Sequence, residues 1–296
     1  MTDCWCFSAV LRGQTLPLET GLEAVLNAEA ISIEKTDAGH SLIMAWFEDE
    51  PDSDQLAAVV SRSVKRGQLI EQQTICHKGT DWLAENRKAF PPLHLGPFWI
   101  YGSHVMEARP AGRLPLLVEA AQAFGSGTHP TTQICLLALA EQRKRKRPPR
   151  RILDMGCGSA ILAMAAQRLF PAANIFAVDN DPVSVRTAQG NRQKNQISAM
   201  KMRAIVSEGF ADRSVSRNGP YDLIMANILA GPLRRMAADL SCNLYPGGHL
   251  ILSGFFQDQA QRIIGDYRAR KLTLDMRLEQ NDWCCLVFRK RQRALK

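Results

Sequence analysis

The stretch Arg151-Ile152-Leu153-Asp154-Met155-Gly156-Cys157-Gly158-Ser159-Ala160-Ile161-Leu162 decides the fold of this 296-residue chain. It combines a short apolar strand, an acidic residue near the strand's end, a Gly-x-Gly turn and an apolar helix start. A second acidic strand end follows in Phe176-Ala177-Val178-Asp179-Asn180-Asp181-Pro182. Two such strand ends in a βαβ unit predict an adenosine-containing ligand at the carboxyl edge of a parallel sheet.

The residues of the turn favour S-adenosylmethionine (SAM) over a dinucleotide. A dinucleotide-binding turn needs a third glycine where Ile161 stands, and Asp154 just before Gly156 and Gly158 would repel a pyrophosphate. The same carboxylate suits a ligand that carries an ammonium and a sulfonium group. The amide-rich start of the following helix can receive the ligand's own carboxylate, and Asp179 can accept hydrogen bonds from both ribose hydroxyls.

Composition places the chain among globular proteins of the cytoplasm. The hydrophobic fraction is 46% and the charged fraction 22%, and no apolar run approaches the roughly 20 residues of a membrane span. The amino terminus shows no secretory signal, which predicts a cytoplasmic location. The eight cysteines and six histidines lack the spacing of a metal site, so reduced core thiols and no metal are expected.

The net charge of +8 is unevenly distributed. One basic block comprises Arg143 to Arg147 with Arg150 and Arg151; the other comprises Arg289 to Arg291 with Arg293 and Lys296. Such blocks can attract a polyanion such as ribosomal RNA in a weak contact. The alternative interpretation is a solvated loop and a frayed tail, and it remains open.

The chain divides into three predicted regions. Residues 1–77 alternate as βαββαβ, the order of a small ferredoxin-like α+β domain that recognises a substrate. Residues 78–115 are rich in proline, glycine and aromatic residues and form a linker region with short packed strands. Residues 116–296 alternate strands and helices, which predicts a Rossmann-like α/β domain. Its mostly parallel sheet ends in an antiparallel edge hairpin formed by the last two strands.

Two further segments carry candidate site residues. Asn227 ends the fourth strand of the large domain, where its carboxamide oxygen can accept a hydrogen bond from an incoming amine without carrying charge. Helix capping is the alternative role. The glycine-rich segment Ala123 to Thr132 leads into a helix, so Thr132 can reach the cofactor and Phe124 can cover its apolar side. His129 stands beside Pro130 and is interpreted as structural.

The segments Ala123–Thr132, Leu153–Leu162 and Ala226–Leu233 closely resemble the three signature stretches of the ribosomal protein L11 methyltransferases. The resemblance covers essentially the whole chain. It implies a SAM-dependent protein methyltransferase whose cofactor is held by Thr132, Gly156, Asp179 and Asn227. It also implies that the amino-terminal domain captures a large-subunit ribosomal protein, whose lysines and α-amine are trimethylated.

The sequence departs from the family's pattern at Ser126, which replaces threonine, and at Ala160, which replaces a third glycine near the cofactor's amino-acid end. A monomer is expected. Three alternatives remain: another protein lysine substrate, a nucleic-acid base amine, and a non-catalytic SAM- or RNA-binding assembly factor. Base-amine methyltransferases usually place Pro-Pro-aromatic after the Asn, whereas Ile228-Leu229-Ala230 stands here.

Overall fold

The computed structural model of this chain describes most of its residues and divides it into two compact units, Met1–Ala89 and Phe90–Lys296. The described residues are 4–12, 18, 21–22, 25–26, 28, 30–36, 39–47, 49–65, 67–77, 91–103, 105–119, 127 and 129–291. Phe124 and Ser126 lie outside them. The helices of the described residues include none with the length and apolarity needed to cross a membrane.

The first unit is built on a four-stranded antiparallel sheet. Its strands are β1 (Cys4–Leu11), β2 (Ala30–Lys35), β3 (Ser41–Phe47) and β4 (Leu69–His77), and its helix α1 is Ser53–Ser63. The spatial order is β2-β3-β1-β4, with every neighbouring pair antiparallel. The described residues between 18 and 26 are also helical. This is the ferredoxin-like architecture that the sequence predicts.

The alternating pattern of β3 shows why this sheet forms. Its side chains are buried and half-buried in strict alternation, since successive residues of a strand point to opposite faces. Ile43 and Ala45 meet Leu56 and Val60 of α1 in one apolar cluster. Asp52 caps α1 by accepting hydrogen bonds from the backbone N–H groups of Asp54 and Gln55, at 2.9 and 2.8 Å.

The second unit begins with a small three-stranded sheet. Its strands are β5 (Leu93–Leu95), β6 (Phe98–Tyr101) and β7 (Leu114–Leu117), in that spatial order. Phe98, Ile100 and Leu116 are buried in the same cluster as the helices of the larger sheet. The described part of the proline- and aromatic-rich segment, residues 91–103 and 105–115, therefore packs as part of this unit.

The main sheet of the second unit has seven strands in the order β10-β9-β8-β11-β12-β14-β13. Their bounds are β8 Arg151–Met155, β9 Asn174–Asp179, β10 Met202–Val206, β11 Tyr221–Asn227, β12 Leu244–Phe256, β13 Leu272–Gln280 and β14 Trp283–Lys290. The first five are parallel, while β14 runs antiparallel to both of its neighbours. The predicted Rossmann-like sheet with an antiparallel edge hairpin is confirmed.

Helices cover both faces of this sheet, and their apolar side chains form two separate clusters. The helices are α2 Pro130–Glu141, α3 Ile161–Leu169, α4 Pro182–Lys194, α5 Arg213–Arg217, α6 Ala230–Arg235, α7 Ala237–Cys242 and α8 Ala260–Arg268. Among the cysteines whose side chains the structure describes, five are buried. Parallel strands covered on both faces place all their carboxyl ends at one edge of the sheet, where a site can form.

Two elements differ from the sequence prediction. Residues 244–248 contain Pro246-Gly247-Gly248, a pattern typical of a turn, yet β12 runs through them. The strand tolerates them because a Cβ on Gly248 would lie 2.8 Å from the Tyr245 carbonyl oxygen, so this close approach needs glycine. The sequence prediction also omitted the short helix α5, which Asp212 caps through the Ser214 N–H at 2.6 Å.

Candidate functional site

The turn after β8 is folded back onto the end of β9. The backbone N–H groups of Gly156 and Cys157 both donate to the Val178 carbonyl oxygen, at 2.7 and 3.0 Å. Gly156 has a φ of +71°, and a Cβ there would lie 2.2 Å from the Ile228 Cγ2 atom. Only glycine satisfies both conditions. The predicted cofactor turn thus packs directly against the residue that follows Asn227.

Asp154 is buried in this turn, with 1% of its surface exposed. Its Oδ2 atom accepts a hydrogen bond from the Ala163 N–H at 2.9 Å, in the first turn of α3. Its Oδ1 atom is also buried and has no hydrogen-bond partner among the described residues. Burial raises the pKa of Asp154 to about 8, opposed by the Ala163 bond and supported by the charge of Asp179. A buried carboxylate oxygen without a partner calls for a cationic donor.

Asp179 at the end of β9 is fixed by two backbone donors. The Gly158 N–H donates to its Oδ2 atom at 2.9 Å, and the Asp181 N–H donates to Oδ1 at 3.1 Å. Asp181 in turn caps α4, accepting from the Val183 and Ser184 N–H groups. Each Asp179 oxygen keeps a second lone pair, so this half-buried carboxylate is prepared to accept a pair of hydroxyl donors.

Asn227 and Thr132 meet at the end of β11. The Asn227 Nδ2 atom donates to the Thr132 Oγ1 atom at 3.3 Å, and Thr132 is 1% exposed. The Asn227 Oδ1 atom is buried without a partner among the described residues. Like Asp154 on the neighbouring strand β8, it presents an acceptor that needs a donor from outside. Because β9, β8 and β11 are adjacent, Asp179, Asp154 and Asn227 line one continuous edge.

The backbone after Asn227 is clamped against β12. The Ile228 N–H donates to the Ser253 carbonyl oxygen at 3.1 Å. A Cβ on Gly254, whose φ is +92°, would lie 2.4 Å from the Ile228 carbonyl oxygen and 2.8 Å from its nitrogen. Ile228 therefore lies between two glycines, Gly156 and Gly254, and its position holds Asn227 in place. Neither contact is visible as a local sequence motif.

We expect Gly254→Ala to lower the free energy of unfolding by about 2 to 3 kcal/mol, because the methyl group would collide with the backbone of Ile228. Urea unfolding measures this change. Gly265→Ala is the matched control: Gly265 lies in α8 with nothing within 4 Å of an added Cβ, and alanine there should stabilise the helix by about 0.5 to 1 kcal/mol. Equal effects of the two variants would contradict the clamp.

Ala160 occupies a backbone position that favours glycine. It precedes α3 with φ 62° and ψ 27° and is fully buried. A left-handed conformation costs an L-residue about 1 to 2 kcal/mol, so this departure from the family pattern carries local strain. The strain lies in the backbone between Gly158 and α3, a consequence that the sequence alone does not reveal.

A cluster of aromatic rings lies at the start of α2. The His129 ring lies edge-on to Trp283 with ring centroids 4.9 Å apart, and Trp283 stacks on Phe256 at 4.2 Å. His129 caps α2, since its Nδ1 atom accepts from the Thr131 N–H at 3.3 Å. Burial lowers the pKa of His129, which keeps the ring neutral and able to accept. The sequence prediction omitted Phe256 and Trp283, because only the β12–β14 pairing brings them together.

The structure brings together most of the residues predicted for the site. Thr132 contacts Asn227, Gly158 contacts Asp179, and Gly156 packs on Ile228. Phe124, predicted to cover the cofactor, is outside the described residues. The arrangement offers three oxygen acceptors along one sheet edge, two of them buried carboxylate or amide oxygens in need of a donor. It suits a ligand with an ammonium group, ribose hydroxyls and a neighbouring amine.

Comparison with known proteins agrees with this arrangement. Residues 13–291 match the family model described as "Ribosomal protein L11 methyltransferase (PrmA)". A ribosomal protein L11 methyltransferase of Bradyrhizobium diazoefficiens is 36% identical over 266 residues, covering 89% of this chain and 88% of the relative. One from Agrobacterium fabrum is 34% identical, covering 91% of each chain.

A solved structure shares the fold. The crystal structure titled ribosomal protein L11 methylase from Lactobacillus delbrueckii subsp. bulgaricus superposes with a TM-score of 0.60 and 26% identity, covering 69% of this chain and 100% of that one. The family model spans both units, and the relatives are matched over nearly their full length. The chain therefore belongs to the ribosomal protein L11 methyltransferase family.

Proposed function

We propose that this enzyme transfers methyl groups from SAM to the amines of ribosomal protein L11, both lysine ε-amines and the amino-terminal α-amine. The observation that carries the proposal is the pair of buried, unpartnered oxygens, Asp154 Oδ1 and Asn227 Oδ1, at the ends of adjacent strands. One suits the cofactor's ammonium and the other suits the N–H of an incoming amine. Family membership supports both the cofactor and the substrate.

Each residue at the carboxyl edge of the sheet is proposed to bind a different part of the cofactor. Asp179 accepts from the ribose hydroxyls, while its own two backbone donors keep the carboxylate oriented. Asp154 receives the ammonium, and Gly156 and Gly158 let the backbone approach closely. Thr132 orients the Asn227 amide through its hydroxyl. SAM supplies a methyl group made electrophilic by its sulfonium.

The acceptor amine must lose its proton before it can attack. At neutral pH only about one lysine in a few thousand is neutral, which corresponds to about 4 to 5 kcal/mol from a pKa near 10.4. A partly dry site beside a positive charge lowers the amine's pKa and reduces this cost. The Asn227 oxygen would accept hydrogen bonds from the N–H groups of the amine, which would turn its lone pair toward the methyl group that SAM would supply. Alignment supplies most of the acceleration, and no dedicated base is needed.

Asn227→Ala tests the acceptor assignment. We expect kcat for methyl transfer to purified L11 to fall by roughly 100-fold, because one oriented hydrogen-bond acceptor is lost in the transition state. Asn218→Ala is the matched control, since Asn218 donates to Ser214 at the end of α5 and lies away from the carboxyl edge. Radiolabelled methyl incorporation measures both. A variant with unchanged kcat would remove Asn227 from the mechanism.

The same assay separates the alternatives. Label in ribosomal RNA but not in L11 would favour a nucleic-acid base amine, and label in another protein would change the substrate. Cofactor binding without any product would favour a non-catalytic assembly factor.

We further propose that the protein acts as a monomer in the cytoplasm and that residues 1–77 capture the substrate.

The pH dependence of SAM affinity tests Asp154. Its pKa is raised to about 8, so the carboxyl is protonated in the cofactor-free enzyme at pH 6 and must lose that proton to pair with an ammonium. Affinity should therefore rise by up to about tenfold per pH unit from about pH 6, pass through a maximum near pH 8, and fall above it as the cofactor's own α-ammonium loses its proton at an ordinary pKa of about 8. Calorimetry at several pH values measures it. Asp154→Asn should bind weakly with little pH dependence; an equally steep dependence in this variant would contradict the assignment.

A further inference from the structure

The structure brings the first basic block and the described part of the second, Arg289 to Arg291, together at the amino edge of the seven-stranded sheet. Strands β8, β11 and β12 begin at this edge, and the antiparallel strand β14 ends there, because Arg289 pairs with His249 near the start of β12. The blocks are more than a hundred residues apart in sequence, so their proximity is a property of the fold. We call this surface the basic edge. Its exposed cations are Arg143, Lys144, Lys146, Arg147, Arg150, Arg151, Arg270, Lys271, Arg289 and Arg291.

Specific contacts fix the first block to the strand ends. The Arg145 guanidinium donates to the carbonyl oxygens of Asp222 and Gly247, at 3.4 and 3.1 Å, at the starts of β11 and β12. The Asp222 Oδ2 atom accepts from the N–H groups of both Arg150 and Arg151, at 2.9 Å each. The block is therefore attached to the sheet, and a solvated loop without defined position does not describe it.

The second block is held in the same way. The Lys290 Nζ atom donates to the carbonyl oxygens of Ser241 and Leu244, at 2.6 and 2.7 Å, where α7 ends and β12 begins. Arg289 and Arg291 on either side of it are exposed. The starts of β8, β11 and β12 and the end of β14 span roughly 14 Å at about 4.8 Å per strand, so the two blocks form one surface.

The carboxylates among these cations neutralise only part of the charge. Glu141 pairs with Lys144 at 2.5 Å, and Asp275 pairs with Arg289 at 3.1 Å. Asp222 is occupied by the two backbone N–H groups. The carboxyl edge, in contrast, carries the carboxylates of Asp179 and Asp181 among separate arginines such as Arg186 and Arg262. The cations of the basic edge are clustered, so this edge attracts a polyanion more strongly than the catalytic edge does.

We infer that the basic edge binds the phosphates of an RNA, while the catalytic edge methylates protein. Seven of the ten exposed cations are arginines, whose planar forks match phosphate oxygens. Each strand of a nucleic-acid duplex carries about one phosphate per 3.4 Å, so a 14 Å edge faces roughly four phosphates of one strand. Tyr245, 53% exposed at the start of β12, adds an aromatic ring that can stack on an unpaired base. An acidic protein offers neither repeated phosphates nor a base for this ring.

The test measures how salt affects binding of the full chain to a fluorescently labelled RNA stem-loop of about 24 nucleotides. Fluorescence anisotropy reports the binding. We expect affinity to fall roughly 50- to 150-fold between about 50 and 200 mM salt, as for about four phosphate contacts. The double variant Arg147→Gln, Arg291→Gln removes one cation from each block. It should lower RNA affinity about tenfold or more at about 100 mM salt. The slope of log affinity against log salt concentration should become shallower by about 1.5 to 2.

The matched control removes the same charge elsewhere. Arg186→Gln combined with Arg262→Gln takes two exposed arginines from the starts of α4 and α8, which follow the carboxyl ends of β9 and β12. This variant should bind the RNA nearly as the unmodified chain does. Equal losses of RNA affinity in both double variants would show non-specific attraction to net charge and overturn the proposal. Displacement of the RNA by polyglutamate as readily as by polyphosphate would also overturn it.

A second measurement separates this surface from catalysis. Methyl transfer to a free protein substrate should be unchanged in the Arg147→Gln, Arg291→Gln variant, because neither residue lies near the carboxyl edge. Loss of methyl transfer with RNA binding intact would assign the basic edge to substrate capture and overturn the proposal. Failure of the unmodified chain to bind the RNA, with normal methylation of protein, would overturn it as well while leaving the proposed function untouched.

Discussion

The Asp179→Ala variant should bind SAM roughly a thousandfold more weakly than the unmodified chain. Two charge-assisted hydrogen bonds to the ribose, each contributing about 1.5 to 3 kcal/mol, would be lost together. The substitution also frees the N–H groups of Gly158 and Asp181, so the two loops that shape the edge lose their common anchor. Isothermal titration calorimetry of the purified protein measures the change.

Asp179→Asn is the matched control for this experiment. It keeps the shape and one acceptor oxygen but loses the charge, so it should bind SAM with intermediate affinity. It should lower the thermal unfolding temperature less than Asp179→Ala does, because one of the two backbone N–H groups keeps its acceptor. If Asp179→Ala bound SAM normally, the ribose would have to be held elsewhere and the cofactor assignment of this edge would fail.

Deleting residues 1–77 should abolish methylation of L11 while SAM affinity stays within about threefold of the full chain. The predicted cofactor residues and the apolar clusters around them all belong to the second unit, so their contacts survive the deletion. The recognition surface proposed for the first unit is lost. Calorimetry and radiolabelled transfer measure the two quantities on the same preparation.

A control shows whether the catalytic edge of the shortened protein still works. A free lysine-containing peptide at high concentration should be methylated at similar slow rates by both proteins, because capture no longer limits the reaction. Normal methylation of L11 by the shortened protein would disprove a recognition role for residues 1–77. Loss of SAM binding would instead show that the second unit depends on the first for its fold.

Local patterns were sufficient to predict the architecture of both units. Alternating apolar residues in 41–47 predict a half-buried strand, and Asp154, Gly156 and Gly158 predict the turn after β8, because in each case neighbours in sequence determine the conformation. The βαββαβ order of the first unit and the edge hairpin of the second follow from the order of such segments. Both predictions are confirmed by the sheet orders.

Features that depend on distant pairs could not be predicted. The contact of Ile228 with Gly156 and Gly254 joins three strands, and the stacking of Phe256 on Trp283 requires the β12–β14 register. The path of β12 through Pro246-Gly247-Gly248 contradicts the local turn propensity, since pairing with its neighbours outweighs it. The place of Ala160 near the cofactor's amino-acid end stays a prediction, and its positive φ adds a backbone cost that the sequence did not indicate.

The two glycines around Ile228 bear on the proposed methylation of several different amines. The distance between the residues proposed to hold the methyl donor and Asn227, which is proposed to meet the amine, is set by the close packing of Gly156 and Gly254 against Ile228. These contacts lie within the second unit, so they do not depend on the orientation in which a substrate chain binds. We therefore expect successive lysines in different surroundings to meet the same reaction geometry.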